Sequence, residues 1–387
     1  LIISPDEGAT VATYVKNFKD QTGIDVQPDF EGWDVIHDKI VTTLAGGGGG
    51  YDMVFIPSAN VVEFTSGDWF ESLDDMITDK NRADWLGSVV DLYTRGGHLL
   101  AMPWYAGGAH MAYNKDVLTK AGVDPTTIKT WADFMAACDK VKTTKAADYC
   151  FTPSAKYPGE FYYNWGTMVG SQGVDLFDKD GAPIFQNNSL ALGTFQLIKD
   201  GIDKGYFDKA GIDMTDYETL IEFGKGQDAF LLDSTWSVTN ANTNKDVSTI
   251  LGKVGLMLIP GTDKVRTGGY LYAGGIGVLK SSAHKAEAKQ FLTYFTGDDA
   301  QKWHAVKGAN MPTRVALYKD KDIAASWSGF ETLAEQLGYG KFPPQFGWFE
   351  EWRHSLSSSI QDVITGSKTP DAAVKFLVDE ANRLKAK

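Results

Sequence analysis

The stretch Tyr270-Leu271-Tyr272-Ala273-Gly274-Gly275-Ile276-Gly277-Val278-Leu279 predicts one long β-strand that glycines interrupt. Glycine inside a strand weakens it, and it marks a bend or a close approach of two backbones. A strand of this kind suits a segment that crosses between two domains and bends where it crosses. We therefore predict two domains, with one crossing of the chain in this stretch.

The chain on the N-terminal side alternates predicted strands and helices. Residues 2–3, 24–26 and 52–56 are short apolar runs that predict strands. Residues 10–20 place apolar side chains at every third or fourth position, which predicts a helix that Gly23 ends. Alternation of this kind indicates an α/β fold, in which helices cover the faces of a parallel sheet.

Length, composition and charge narrow the class of protein. The chain has 387 residues, 43% of them hydrophobic, and a net charge of −13. This length favours two domains over one. The negative charge, without any basic cluster, disfavours a nucleic-acid partner. No apolar run approaches the roughly 20 residues of a membrane helix. The chain begins inside a predicted strand without a signal segment, so we expect a mature or trimmed product.

The two cysteines lie close together in the sequence. Cys138 falls late in a predicted helix over residues 131–142, and Cys150 opens the next predicted strand. A helix that turns back into a strand can bring the two thiols together. We hypothesise a disulfide, with two free buried thiols as the alternative.

Several of the eleven tryptophans stand at turns and at the ends of predicted elements, beside polar residues. A flat ring next to hydrogen-bonding groups suits a sugar, because its C–H faces stack and its hydroxyls need partners. The alternative is that these rings fill gaps at element ends. The tryptophans in question are Trp33, Trp104, Trp165, Trp236, Trp348 and Trp352.

Signatures of catalysis are missing from the sequence. It contains no His-Glu-x-x-His zinc motif, no Gly-x-Ser-x-Gly elbow and no complete dinucleotide loop. We therefore expect a binding protein with no catalytic residue, no metal and no cofactor. A glycosidase that uses two carboxylates stays open as an alternative.

Short motifs follow one another in a fixed order over nearly the whole chain. They include Tyr51-Asp52-Met53-Val54-Phe55-Ile56-Pro57, Leu100-Ala101-Met102-Pro103-Trp104-Tyr105, Tyr113-Asn114-Lys115-Asp116-Val117-Leu118, Gly224-Lys225-Gly226-Gln227-Asp228-Ala229-Phe230 and Thr365-Gly366-Ser367-Lys368-Thr369-Pro370-Asp371. Together they resemble the extracellular solute-binding proteins of carbohydrate ABC importers, the family that includes maltose-binding protein.

The resemblance implies a two-lobe, type II periplasmic-binding-protein fold of the α/β class, with a hinge and a ligand cleft between the lobes. The expected N-terminal lobe is 1–110 with 275–314. The expected C-terminal lobe is 111–274 with 315–387, and its late helices line the cleft. The chain is then expected to cross near residues 109–113, 272–276 and 312–317.

By position in the family's motifs, the resemblance also implies a set of ligand contacts. They are Asp6, Glu7, Trp33, Ser58, Asn60, Trp104, Tyr105, Tyr162, Trp165, Trp236, Gly269, Tyr270, Trp348, Trp352 and Arg353. Where maltose-binding protein has charged groups, this chain has Asn60 and the small residues Ala106, Gly107 and Gly108. The ligand is therefore expected to differ from maltose.

The function that this resemblance implies is capture of a neutral sugar or short oligosaccharide, closure around it and delivery to a membrane ABC permease. The expected protein is a monomer and periplasmic or extracellular, with a lipid anchor in a Gram-positive cell. A polyol or a metal is the alternative ligand. Ferric ion is one such case, because iron-binding relatives of this architecture use a twin tyrosine such as Tyr162-Tyr163.

Overall fold

The computed structural model divides the chain into two compact units. Unit 1 is Leu1–Gly107 with Tyr272–Ser326, and unit 2 is Gly108–Leu271 with Trp327–Lys387. The chain passes from one unit to the other after Gly107, after Leu271 and after Ser326. The structure describes residues 1–3, 8–156, 161–308, 310–327 and 329–387, without the side chains of 8–10, 33–34 and 161–162.

The described elements alternate along the chain. The strands are β1 (Ile2–Ile3), β2 (Asp29–Phe30), β3 (Met53–Pro57), β4 (Thr94–Arg95), β5 (His98–Leu99), β6 (Met102–Asn114), β7 (Tyr149–Phe151), β8 (Asp228–Ser234), β9 (Val254–Met257), β10 (Leu271–Val278) and β11 (Met311–Pro312). The helices are α1 (Gly8–Thr22), α2 (Trp33–Ala45), α3 (Val61–Phe64), α4 (Gly87–Tyr93), α5 (Lys115–Ala121), α6 (Trp131–Thr143), α7 (Phe161–Gly170), α8 (Ser189–Asp203), α9 (Asp216–Gly224), α10 (Thr235–Thr243), α11 (Lys285–Phe295), α12 (Asp298–Gly308), α13 (Lys321–Ser326), α14 (Phe330–Gly338), α15 (Phe349–Thr365) and α16 (Pro370–Lys385).

Unit 1 is built on a mixed sheet. Strand β1 pairs in parallel with β2 on one side and with β3 on the other. Strand β10 returns antiparallel to β3, and β6 and β11 continue the sheet beyond it. The carboxyl ends of β1, β2 and β3 therefore meet at one edge, which is where α/β sheets bind ligands.

The second strand of unit 1 lies later than the sequence predicted. Residues 24–26 are not a strand, and the pairing with β1 begins at Asp29 instead. The amide of Asp29 donates to the carbonyl of Leu1 at 2.7 Å, and the amide of Glu31 donates to that of Ile3 at 3.0 Å. Apolar content alone predicted the wrong residues for this strand, because the register of a strand is set by the backbone with which it pairs.

The strands of unit 2 are arranged around β6. Strand β8 pairs antiparallel with one edge of β6, and β9 pairs antiparallel with the other. Strand β7 extends this sheet in parallel beyond β8. Helix α6 starts at a capping box, in which Thr130 accepts from the amide of Asp133 and the Asp133 carboxylate accepts from that of Thr130.

The two cysteines form a disulfide inside unit 2. Cys138 on α6 and Cys150 on β7 are bonded, with their Cα atoms 5.1 Å apart. Both residues are buried in the apolar core of the unit. The hypothesis of a disulfide is therefore confirmed, and the bond fixes α6 on the edge strand that it covers.

Within the described ranges, no helix is both long and apolar enough to cross a bilayer.

Candidate functional site

Unit 1 carries a polar cluster at the carboxyl edge of its parallel strands. Asn60 follows β3, and its side-chain nitrogen lies 3.4 Å from the Oε2 of Glu63. The Nε2 of His37, on the first turns of α2, lies 2.9 Å from the same oxygen. The Nδ1 of His37 lies 3.0 Å from the carboxylate of Asp38. His37 and Glu63 are more than a third exposed, so the cluster is accessible to a polar ligand.

A second ionic cluster begins where β2 ends. Lys39 donates to the carboxylates of Asp29, at 2.7 Å, and of Glu31. The hydroxyl of Tyr51 donates to the same oxygen of Asp29. These hydrogen bonds, from Lys39 first and from Tyr51 second, lower the pKa of Asp29 below its usual value. The positive charge of Lys39 is thus matched by two carboxylates.

The sequence prediction did not include Glu63 and His37. Three of the residues that it did name for unit 1 lie wholly or with their side chains outside the described part of the chain. Asp6 and Glu7 lie outside the described residues, and so does the side chain of Trp33. Ser58 is described and is 5% exposed. The signal for Glu63 was its place three residues after Asn60, on the short helix α3 that follows a buried strand.

Trp104 and Tyr105 lie in the core of unit 1. Trp104 is 1% exposed, and its ring is surrounded by Phe55, Phe295 and His304, with ring centroids 5.1 to 5.9 Å away. Tyr105 is buried against Phe55. A ring enclosed in this way has no free face to stack on a sugar. The expectation of direct contact is therefore corrected to core packing for Trp104.

Trp165 and Trp352 lie in the core of unit 2, and both are fully buried. Trp165 packs on Phe195 with 5.0 Å between ring centroids. The Nε1 of Trp352 donates to the carbonyl of Leu377 at 2.9 Å, and its ring meets the edge of Phe177. Trp165 and Trp352 were expected to stack on a ligand. That expectation is corrected to core packing, as it is for Trp104.

Partly exposed aromatic rings stand at the end of β8. Trp236 is the second residue of α10, which begins where Ser234 accepts a hydrogen bond from the amide of Ser237. Its ring lies 6.5 Å from that of Tyr217, at an angle of 35°. Tyr217 is 49% exposed. The sequence prediction included Trp236 and missed Tyr217, whose polar surroundings on α9 gave no signal.

A second aromatic pair precedes α15. The rings of Trp348 and Phe346 are stacked, with centroids 5.2 Å apart and planes 11° from parallel. Trp348 is partly buried and also meets the edge of Phe177. Because one face of Trp348 is taken by Phe346, only the other face and the edges remain for further contacts.

The charged residues at the start of α15 neutralise one another. Arg353 donates to the carboxylate of Glu350, and the Nε2 of His354 lies 3.4 Å from the same group. Burial alone would raise the pKa of Glu350. The hydrogen bond with His354 and the charge of Arg353 lower it by more, so the pKa of Glu350 lies below its usual value. Arg353, an expected ligand contact, is thus part of an ion pair.

Gly269 and Tyr270 immediately precede β10 in unit 2. Both are buried, and the Tyr270 ring lies against Gly166 of α7, where an added Cβ would come within 2.2 Å of it. Tyr163 of α7 donates from its hydroxyl to the carbonyl of Tyr270 at 3.0 Å. The side chain of Tyr162, an expected ligand contact, lies outside the described residues.

The described part of the chain holds no group of three or more His, Cys, Asp or Glu side chains that could bind a metal ion.

The sequence places the chain in a family. Residues 3–302 match the bacterial extracellular solute-binding proteins, and the chain belongs to this family. A probable ABC transporter-binding protein of Deinococcus radiodurans is 26% identical over 313 residues, which is 78% of this chain and 72% of the relative. The arabinooligosaccharide-binding protein of Bacillus subtilis is 27% identical, over 74% of this chain and 66% of the relative. The mannitol-binding protein of Pseudomonas aeruginosa is 25% identical, over 76% and 67%.

Solved structures share the fold over the full length of the chain. MalE3 of T. maritima, solved with maltose, has a TM-score of 0.88 at 22% identity and covers 99% of this chain and 98% of its own. The GacH receptor of Streptomyces glaucescens has a TM-score of 0.86 at 18% identity and covers 100% and 98%. The fold is therefore the two-lobe, type II periplasmic-binding-protein fold. Membership of an extracellular family of ABC transporters places the protein in the periplasm or outside the cell.

Proposed function

We propose that this protein captures a neutral sugar, a short oligosaccharide or a polyol for an ABC importer. The observation that carries the proposal is the pair Trp236 and Tyr217, two accessible rings just beyond the carboxyl end of β8. Each stacked ring contributes on the order of 1 kcal/mol beyond the burial of its area. The relatives named for arabinooligosaccharide and mannitol support the same class of ligand.

The charges of the candidate surfaces support a neutral ligand. Glu63 is engaged by His37 and Asn60, and Arg353 is engaged by Glu350. An anionic or cationic ligand would have to disrupt these pairs and leave one partner without its counter-charge. Sugar hydroxyls can join such pairs as both donors and acceptors.

We propose that unit 1 forms hydrogen bonds with the ligand and that unit 2 provides most of the aromatic rings that stack on it. We assign hydrogen bonding to Glu63 and His37, and stacking to Tyr217. The residues that we retain from the sequence prediction are Asp6, Glu7, Trp33, Ser58, Asn60, Tyr105, Tyr162, Trp236, Gly269, Tyr270, Trp348 and Arg353. Ligand binding then shifts an equilibrium between open and closed arrangements of the two units.

We propose a binding protein rather than an enzyme, acting as a monomer with a membrane permease as its partner and with a lipid anchor in a Gram-positive cell. Ferric ion is disfavoured because the Tyr163 hydroxyl is already bonded to the carbonyl of Tyr270. A glycosidase is disfavoured because Glu63 and Glu350 are held by basic or amide partners.

Titration of intrinsic tryptophan fluorescence tests the proposal. We expect maltose, mannitol or an arabino-oligosaccharide mixture to change the emission and to raise the melting temperature, with no release of reducing ends over hours. Mass spectrometry of ligand that co-purifies with the protein would then identify the natural sugar. Absence of both responses across mono-, oligosaccharides and polyols would overturn the proposal, and release of reducing ends would replace it with a glycosidase.

A further inference from the structure

Residues 269–271 are the last of unit 2 before the chain enters unit 1 along β10. Within unit 2, both polar backbone atoms of Tyr270 are bonded to other elements. Its amide donates to the Oγ1 of Thr167 at 3.1 Å. Its carbonyl accepts from the hydroxyl of Tyr163 at 3.0 Å and from the amide of Ala109 at 2.9 Å. Three hydrogen bonds therefore fix a single peptide segment at the exit of the unit.

Two of these three bonds come from one helix. Tyr163 and Thr167 are four residues apart on α7, so they lie on the same face of the helix. Gly166 lies between them and lets the Tyr270 ring approach the helix backbone. Because α7 contacts Tyr270 through these two hydrogen bonds and this close approach, we expect a displacement of α7 to move the backbone of Tyr270.

The third bond joins two passages of the chain. Ala109 is the second residue of unit 2 after the first passage from unit 1, and Tyr270 is the second residue before the return. The segment that follows α14 also bonds to these residues. The amide of Lys341 donates to the carbonyl of Gly269 at 3.0 Å, and the amide of Leu271 donates to that of Lys341 at 2.8 Å. Tyr270 thus stands where several connecting segments converge within unit 2.

We propose that Tyr163 and Thr167 are positioning residues that couple ligand contact on α7 to closure of the two units. They hold the amide and the carbonyl of Tyr270, and so they set the direction in which the chain leaves unit 2. This inference rests on the proposed function, in which Tyr162 of α7 is retained as a ligand contact. It adds the route by which those contacts alter the equilibrium between open and closed forms.

The variants Tyr163→Phe and Thr167→Val test the coupling, because each removes one hydrogen-bonding hydroxyl and keeps the shape of the side chain. The probe is whichever of maltose, mannitol and the arabino-oligosaccharide mixture titrates the unmodified protein. We expect ligand to dissociate about two- to tenfold faster from either variant, the range for loss of one hydrogen bond, with association changed less. Ligand-induced compaction, measured by small-angle X-ray scattering, should decrease in parallel.

A double variant and two controls separate coupling from a general loss of stability. Because both hydroxyls act on Tyr270, the double variant should fall short of the product of the single effects. Thr194→Val removes an equally buried hydroxyl of α8, and Tyr339→Phe removes an exposed one. Neither control should change ligand dissociation or compaction. Variants that bind and compact like the unmodified protein would overturn the coupling while leaving the proposed function intact.

Hydrogen exchange in the ligand-free protein tests the same inference without a ligand. The amides of Ala109 and Tyr270 should exchange about two- to tenfold faster in Tyr163→Phe and in Thr167→Val than in the Thr194→Val control. Unchanged exchange at both amides would overturn the proposal even if no sugar is ever found to bind.

Discussion

The two units offer different chemistry at the strand ends where ligands are expected. Unit 1 presents a cluster of polar and charged side chains around Glu63, whereas unit 2 presents the rings of Trp236 and Tyr217. A sugar needs both kinds of surface, because its hydroxyls lose water on binding and its C–H faces are apolar. We therefore expect both surfaces to contribute to the proposed recognition of a sugar.

The units also differ in the ionisable groups that they bury. Unit 2 buries Asp228, whose partner is the Oγ1 of Thr152 at 2.9 Å. Burial, together with nearby carboxylates, raises the pKa of Asp228 to about 7. Unit 1 buries His304 among aromatic rings, and neither ring nitrogen has a hydrogen-bond partner among the described residues. Burial lowers the pKa of His304 to about 3. Asp228 therefore favours the folded state at low pH, whereas His304 favours it at high pH.

The largest effect is expected at Asp228. Its pKa is raised on folding, so its contribution to stability is fully present below about pH 4 and is lost as the pH rises to about 7. Asp228→Asn keeps the acceptor for Thr152 and removes the charge. It should increase the free energy of unfolding by up to about 4 kcal/mol at pH 8, at about 1.4 kcal/mol per pKa unit, and by almost nothing at pH 4.

Urea unfolding at the two pH values measures this difference. Asp263→Asn, at an exposed carboxylate of the same unit, is the matched control and should change little at either pH. Equal stability of Asp228→Asn and the unmodified protein at pH 8 would show that Asp228 is solvated in unit 2.

A smaller effect of opposite pH dependence is expected at His304. Its pKa is lowered on folding, so stability is lost as the pH falls from about 6.5 towards 3, where the unfolded chain binds a proton and the folded chain does not. His304→Leu should stabilise the protein by about 1 kcal/mol at pH 7, by removing unsatisfied nitrogens. The gain should grow as the pH falls to 5.

Thermal unfolding between pH 5 and pH 7 measures the trend. The control is His284→Leu, at an exposed histidine of unit 1, which should show no growing gain. A gain for His304→Leu that stays constant with pH would mean that the folded protein protonates His304 as readily as the unfolded chain does.

The smallest expected effects concern the ligand. Trp236→Ala should weaken sugar binding by about tenfold, and Asn60→Ala by about threefold, because a stacked ring contributes more than one exposed hydrogen bond. Calorimetric titration measures both, and Phe376→Ala, at an exposed ring on α16, is the control. Equal losses of affinity in Trp236→Ala and Asn60→Ala would contradict the proposed contrast between the units.

Family-level features of this chain could be predicted from the sequence, and individual contacts could not. The glycine-interrupted strand does become β10, which passes between the units, and Cys138 does bond Cys150. Trp104 and Trp352 misled the prediction, because a tryptophan beside polar residues in sequence can still point into a core. Tyr217 was missed because nothing in the sequence places α9 beside the start of α10.

The sequence by itself determined the α/β class, the division into two units, the family and the class of ligand to be tested. These depend on patterns that repeat along the chain, namely hydrophobic periodicity and the order of motifs. Only the tertiary structure decided which aromatic rings are enclosed and which stay accessible, how the charges pair, and that α7 holds the backbone of Tyr270. Those facts depend on contacts between residues far apart in sequence, such as Tyr163 with Tyr270, and no local pattern encodes them.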